Sequence, residues 1–148
     1  MEFKSYAQYC EDAILYFVLK DIEKGFYIDV GANDPEYISV TKSFYDRGWH
    51  GINIEPLHNY CAKLEAHRPR DINLCIGLGE EHGKMELFGQ SVGATFLKDV
   101  AAQRKMPTDK GTTRLIWTLS EVYKQYPPLV VTCTSAKSTL RAMKNKFC

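Results

Sequence analysis

Nowhere among the 148 residues does an uncharged apolar run approach the roughly 18 residues that cross a bilayer. Met1-Glu-Phe-Lys-Ser5 also lacks the apolar core of a secretory signal. A membrane partner is therefore not expected, and the default location is the cytoplasm. Charge of one sign is equally scarce: 19 Lys and Arg against 18 Asp and Glu leave a formal net charge of +1. With the cations scattered, there is no basic field to draw a nucleic acid. The five cysteines, Cys10, Cys61, Cys75, Cys133 and Cys148, are odd in number, widely spaced and without a CxxC pair. That pattern argues against a disulfide framework and against a zinc site, and reduced thiols, several of them in the core, are the expectation. His50, His58, His67 and His82 show no metal-ligand spacing, so no metal is expected. The glycine-rich phosphate fingerprint G-x-G-x-x-G is missing as well.

What is present fits one α/β domain spanning 1–148. A chain that is 45% hydrophobic at this length fills one core and is too short for two ordinary domains. Acidic Glu11 and Asp12 precede the apolar run Ala13-Ile-Leu-Tyr-Phe-Val-Leu19, which predicts a helix over about 10–22. Phe26-Tyr-Ile-Asp-Val30 reads as a buried strand, 39–47 as a helix, 51–55 as a second strand, 56–67 as a helix closed by Arg68-Pro69, and 72–78 as a third strand. The order βαβαβ with short links implies right-handed crossovers and a parallel sheet. Beyond it, the pattern predicts a short strand at 84–88, a loop with one helical turn over 89–112, a strand at 115–118, a helix at 119–125, a strand at 129–134 and helical character at 136–146.

The strand ends carry the chemistry. In a parallel α/β sheet, ligands lie beyond the carboxyl ends of the strands. The first strand ends in Gly25-Phe-Tyr-Ile-Asp-Val-Gly-Ala-Asn33, and the second ends in Gly51-Ile-Asn-Ile-Glu55-Pro56. Small Gly31 and Ala32 let backbone approach a ligand. Glu55 follows Gly31 by 24 residues, close to the spacing of roughly 20 at which an acid meets ribose hydroxyls in dinucleotide folds. Asp34 and Glu36 stand where a pyrophosphate would be repelled, which disfavours a nicotinamide dinucleotide. A cofactor with ribose and adenine but no phosphate, such as S-adenosylmethionine, fits better. Gly77 and Gly79 either admit an adenine or simply end the third strand. Phe44, Tyr45 and Trp49 read as core.

Tyr6-Ala-Gln-Tyr-Cys-Glu-Asp12, the 25–34 segment, Ser39-Val-Thr-Lys42, Tyr45-Asp-Arg-Gly-Trp49, Gly51–Pro56, Arg68-Pro-Arg-Asp-Ile-Asn-Leu74 and Thr118-Leu-Ser-Glu-Val122 occur in order. This series resembles the FkbM family of S-adenosylmethionine-dependent methyltransferases over roughly 5–126. The resemblance implies a Rossmann-like methyltransferase fold with a mostly parallel sheet, and methylation of a hydroxyl on a small-molecule or glycan acceptor. It further implies that Asp29, Gly31, Ala32 and Asn33 hold the methionine end of the cofactor and Glu55 its ribose. Gln8, Asp12 and Thr41 belong to the same motifs. The segment 127–148 departs from the family: Pro128-Leu-Val-Val-Thr-Cys-Thr-Ser-Ala-Lys137 stands where a strand ending in an Ile-Asp-Val-Glu-Gly-like motif is expected, so the carboxyl end reads as divergent or truncated. Two functions stay open, a methyltransferase and a non-catalytic cofactor-binding or inactive remnant with an interaction role. No residue is identified as the catalytic base.

Overall fold

The computed structural model describes residues 3–127 and the strand residues 132–134. The chain forms α1 (Glu11–Leu19), β1 (Phe26–Val30), α2 (Lys42–Asp46), β2 (His50–Ile54), α3 (His58–His67), β3 (Ile72–Leu74), β4 (Gly77–Leu78), β5 (Gly83–Leu87), α4 (Lys98–Gln103), β6 (Thr112–Trp117), α5 (Leu119–Gln125) and β7 (Thr132–Thr134). Four strands make a parallel sheet in the order β3-β2-β1-β7. Three more make a second sheet in the order β4-β6-β5, with β5 antiparallel to β6. The fold is mixed α/β around a parallel sheet, as the βαβαβ pattern implies. The predicted helix at 136–146 lies outside the described residues. Among the described residues no helix is long and apolar enough to cross a membrane.

Alternation along β1 sorts the core onto two faces. Phe26 and Ile28 join Ile52, Ile54, Ile76 and Val122, while Tyr27 points the other way into Phe44, Tyr45 and Trp49, where Leu15, Tyr16 and Leu19 of α1 cover it. Each large side chain so buried contributes about 1.5 to 3 kcal/mol. The far side of α1 leaves Ile14, Phe17 and Val18 exposed. Thr118 and Glu121 form a reciprocal capping box at the start of α5, with Glu121 N–H donating to Thr118 Oγ1 at 3.1 Å and Thr118 N–H to Glu121 Oε2 at 2.7 Å. The Thr-Leu-Ser-Glu motif thus acts first as a helix start.

Two expectations are corrected. The apolar run 72–78 is not one strand: β3 pairs with β2 in the first sheet, and β4 pairs with β6 in the second. A Cβ at Gly77 would meet Phe96 and Ile116 at 2.6 and 2.7 Å, so that glycine serves the packing of the second sheet. Nor are the described cysteines all reduced. Cys61 and Cys75 form a disulfide with their Cα atoms 5.7 Å apart, because α3 and the strand after it bring residues 14 apart in sequence together. Cys10 is a free, exposed thiol.

Close approach of β1 and β2 depends on Gly51, where a Cβ would lie 2.2 Å from the Tyr27 carbonyl oxygen and 2.3 Å from its ring. Backbone cannot yield as a flexible side chain would. Gly51→Ala is expected to lose about 2 to 3 kcal/mol of stability in urea denaturation, within the range for overpacked cores. An unchanged midpoint would contradict this packing.

Candidate cofactor site

Parallel pairing of Asp29 with Asn53 and of Val30 with Ile54 places Glu55 one residue beyond the last matched pair. Two carboxylates therefore stand at adjoining strand ends, both buried, with Asp29 7% and Glu55 4% exposed. Leaving β1, the chain turns across the end of β2: Gly31 and Ala32 donate their N–H groups to the Ile54 carbonyl at 2.8 and 3.2 Å. Gly31 takes φ 70° and Asn33 φ 57°, both left-handed, which suits a glycine and is tolerated by an asparagine. Asn33 N–H then donates to Glu55 Oε2 and Leu57 N–H to Glu55 Oε1, each at 2.9 Å.

Glu55 is held by backbone on both oxygens, yet a carboxylate has about four lone-pair sites and retains accepting capacity. Burial pushes its carboxyl above the ordinary range, against the pull of the Leu57 and Asn33 N–H groups, and the charge of Asp29 adds to the rise. Asn33 Oδ1 is buried with no hydrogen-bond partner. Two acceptor carboxylates, a small-residue turn and an orphaned amide oxygen fit a ligand offering hydroxyls and an ammonium group.

Thr41 lies at the N-cap of α2 but is buried and does not cap. Its hydroxyl donates to Asp29 Oδ2 at 2.7 Å. The helix predicted from 39 accordingly begins at Lys42, with Ser39 and Thr41 used for bonding inward. Asp12 is fully buried and turned toward its own segment, accepting from Ser5 Oγ at 2.6 Å, Tyr6 N–H at 2.7 Å and Ala7 N–H at 3.3 Å. Gln8 sits on the exposed turn before α1, its amide 3.3 Å from the Tyr9 hydroxyl. The structure thus places Asp29, bonded to Thr41, and Glu55, bonded to Asn33, at adjoining strand ends with Gly31 and Ala32 in the turn between, while Asp12 and Gln8 bond to residues of the segment before α1. Asp34, counted above as repelling phosphate, is offset by Lys63 Nζ at 2.7 Å, leaving exposed Glu36 to carry that repulsion.

Sequence reasoning missed Arg68. It is 1% exposed, and its Nη1 donates to Thr41 Oγ1 at 3.2 Å and to the Tyr27 hydroxyl at 3.3 Å. Nη2 donates to Ser39 Oγ at 2.9 Å and to the Pro35 carbonyl. Between Pro35 and Ser39 stands Ile38 at φ 57°, a β-branched residue in left-handed backbone, a strain of about 1 to 3 kcal/mol that Arg68 clamps from both sides. Its counter-ion is Asp71, 3.8 Å away and likewise buried. Asp71 also accepts from Gly51 N–H at 2.8 Å, Asn53 Nδ2 at 2.9 Å and the Tyr27 hydroxyl. Burial outweighs these partners and raises the Asp71 carboxyl. The Tyr27 phenol is held protonated far above its ordinary range by burial, then by the charge of Asp71. The one available signal was the Arg68–Leu74 motif within the family resemblance.

The family model described as the methyltransferase FkbM domain matches residues 29–143. The chain belongs to this family. The match begins at Asp29 itself and runs to residue 143, so it takes in most of the 127–148 segment that the motif series alone set apart from the family. No curated protein and no solved structure gave a match.

Removing Arg68 would strip buried Asp71 of its counter-ion and free both flanks of the strained turn, so Arg68→Ala is expected to cost about 3 to 5 kcal/mol in chemical denaturation. Arg68→Lys should recover little of it, because one ammonium cannot serve both arms of the fork. A loss below about 1 kcal/mol in the alanine variant would refute the clamp.

A second expectation follows from Glu55. Because its folded value is raised, the folded protein keeps a proton that the unfolded chain has released, and stability falls as pH rises from about 4.5 through the raised value. Glu55→Gln should flatten this part of the stability curve, whatever its absolute stability. An identical slope in the variant would rule the assignment out.

Proposed function

We propose that the protein is a Rossmann-like methyltransferase of the cytoplasm that uses S-adenosylmethionine to methylate a hydroxyl on a small-molecule or glycan acceptor. The observation that carries this reading is the pair of buried carboxylates, Asp29 and Glu55, on adjoining parallel strand ends under one small-residue turn. Family membership supplies the reaction class.

When bound, S-adenosylmethionine supplies a methyl group on a sulfonium carbon. Glu55 would accept from the ribose hydroxyls. Asp29, oriented by Thr41, would face the ammonium at the methionine end, and Gly31, Ala32 and Asn33 would line it with backbone. In such a reaction the protein's main task is to hold the two reactants at near-attack distance. A hydroxyl acceptor also calls for removal of a proton. Three of the histidines have partners elsewhere, His58 at Cys75, His67 at the Lys63 carbonyl and His82 at Glu121, and none is assigned as the base.

Calorimetry with S-adenosylmethionine tests the reading. Each hydrogen bond to an ionised group is worth about 1.5 to 3 kcal/mol. Asp29→Ala and Glu55→Ala should therefore each weaken binding about tenfold to a hundredfold while leaving the circular dichroism spectrum native. Undiminished affinity in both variants contradicts the site, and no binding at millimolar ligand contradicts the cofactor. Binding without transfer of labelled methyl to any member of a sugar and polyketide panel would favour a non-catalytic, cofactor-binding role.

A further inference from the structure

Glu55 is gripped on its backbone by the two elements that the disulfide joins. Its N–H donates to the Leu74 carbonyl at 3.0 Å, immediately before Cys75. Its carbonyl oxygen lies 2.9 Å from Cys61 Sγ, in the first turns of α3. The bridge thus closes a ring around the residue that also anchors the Asn33 turn through Oε2. The two sulfurs are not equivalent. Cys61 is 5% exposed, whereas Cys75 is half-buried and has the exposed imidazole of His58 against it, Nδ1 to Sγ 3.0 Å.

We propose that Cys61 and Cys75 are a reversible redox site that couples the thiol state of the surroundings to the Glu55 end of the cofactor pocket. The coupling rests on the cofactor reading above; the redox site does not. A thiolate of an external dithiol attacks the sulfur of Cys75, the less buried of the two residues. The S–S bond breaks, and the Cys61 sulfur leaves with the electron pair and takes up a proton. The second thiol of the reductant then displaces Cys75, so one protein disulfide and one dithiol become two protein thiols and one reductant disulfide. His58 stands where it can receive the Cys75 proton in the reverse direction, generating the thiolate through which thiol–disulfide exchange proceeds.

Reduction changes the grip on Glu55. In the bridged state the Cys61 sulfur carries no proton and merely touches the Glu55 carbonyl; as a thiol it becomes a weak donor to that oxygen. Two unbonded sulfurs also need more room than two bonded ones. Buried Cys61 is fixed by its neighbours, so Cys75 moves outward toward His58 and solvent, loosening the exit of β3 that receives the Glu55 N–H. The bridged form is therefore the tighter binder of S-adenosylmethionine. By linkage, bound cofactor makes the bridge harder to reduce by the same factor. In a reducing compartment such pairs are characteristically transient and sensing rather than structural.

The test combines differential alkylation with calorimetry. Protein is equilibrated across a series of dithiothreitol buffers of graded redox poise, alkylated, and the peptides holding Cys61 and Cys75 are quantified by mass spectrometry. Both thiols should gain label together in one two-electron transition. S-adenosylmethionine should bind the oxidised protein about fivefold or more tightly than the reduced protein, the lower end of ordinary coupling energies. Cys75→Ser, altered at the half-exposed position, should show the reduced affinity in every buffer. Free alkylation of both cysteines under the most oxidising buffer overturns the redox site, and equal affinity of the two states overturns the coupling. A reversible bridge with no cofactor binding in either state leaves the redox site standing and defeats the cofactor reading instead.

Discussion

A guanidinium that has left water needs partners inside the fold, and the buried charge of Arg68 organises this molecule by drawing them to both terminal nitrogens, while its Nε is buried without one. The cost of desolvating an ion is several kcal/mol even after relaxation, so partners are recruited from wherever the chain can supply them. Here they come from β1 through Tyr27, from the 33–41 turn through Pro35, Ser39 and Thr41, and from the approach to β3 through Asp71. Because Thr41 is in turn bonded to Asp29, the position of a candidate ligand-binding carboxylate is fixed by a cation that need never touch a ligand.

The same interaction explains how an unfavourable loop persists. A β-branched residue in left-handed backbone would relax if either flank were free. With the carbonyl of Pro35 and the hydroxyl of Ser39 bonded to one nitrogen, both flanks are tied. Strain at the turn and charge beneath it are mutually supporting, and neither is stable alone. Glu55 shows the companion effect: its burial is unfavourable for the ionised form, and the N–H groups of Asn33 and Leu57 only partly answer it. A site that keeps a carboxylate short of full compensation gains by receiving donors from a ligand.

Much of this was legible from residue order because strands and helices announce themselves locally. β1 and α5 fall on the positions predicted for them, since an apolar β-branched run and a Thr-x-x-Glu start are signals contained within a few residues. Asp29 and Glu55 stand out as candidates for the same reason: each lies at or next to the end of an apolar strand, and parallel pairing sets the two strand ends side by side. What escaped was long-range. Arg68 before a proline reads as a helix terminator, and nothing near it in sequence announces that β1 and the 33–41 turn converge on it. The break within 72–78 is not announced in that mostly apolar stretch, because it follows from Gly77 and Leu78 pairing with β6, a strand that arrives later in the chain. The Cys61–Cys75 pair escaped through reliance on short spacing motifs, whereas here a helix followed by a strand makes the approach.

The pairing of β1 with β7 has a consequence for the order in which the molecule is assembled. Tyr27, Ile28 and Asp29 find partners on one side in β2, within a short stretch of chain, and on the other in Thr132, Cys133 and Thr134. The second pairing closes a loop of about a hundred residues, whose entropic cost is met only after the intervening elements have packed. During synthesis β1 and β2 therefore emerge with one flank of the first strand bare. The strand bearing Asp29 gains its second neighbour only after about a hundred further residues have been made.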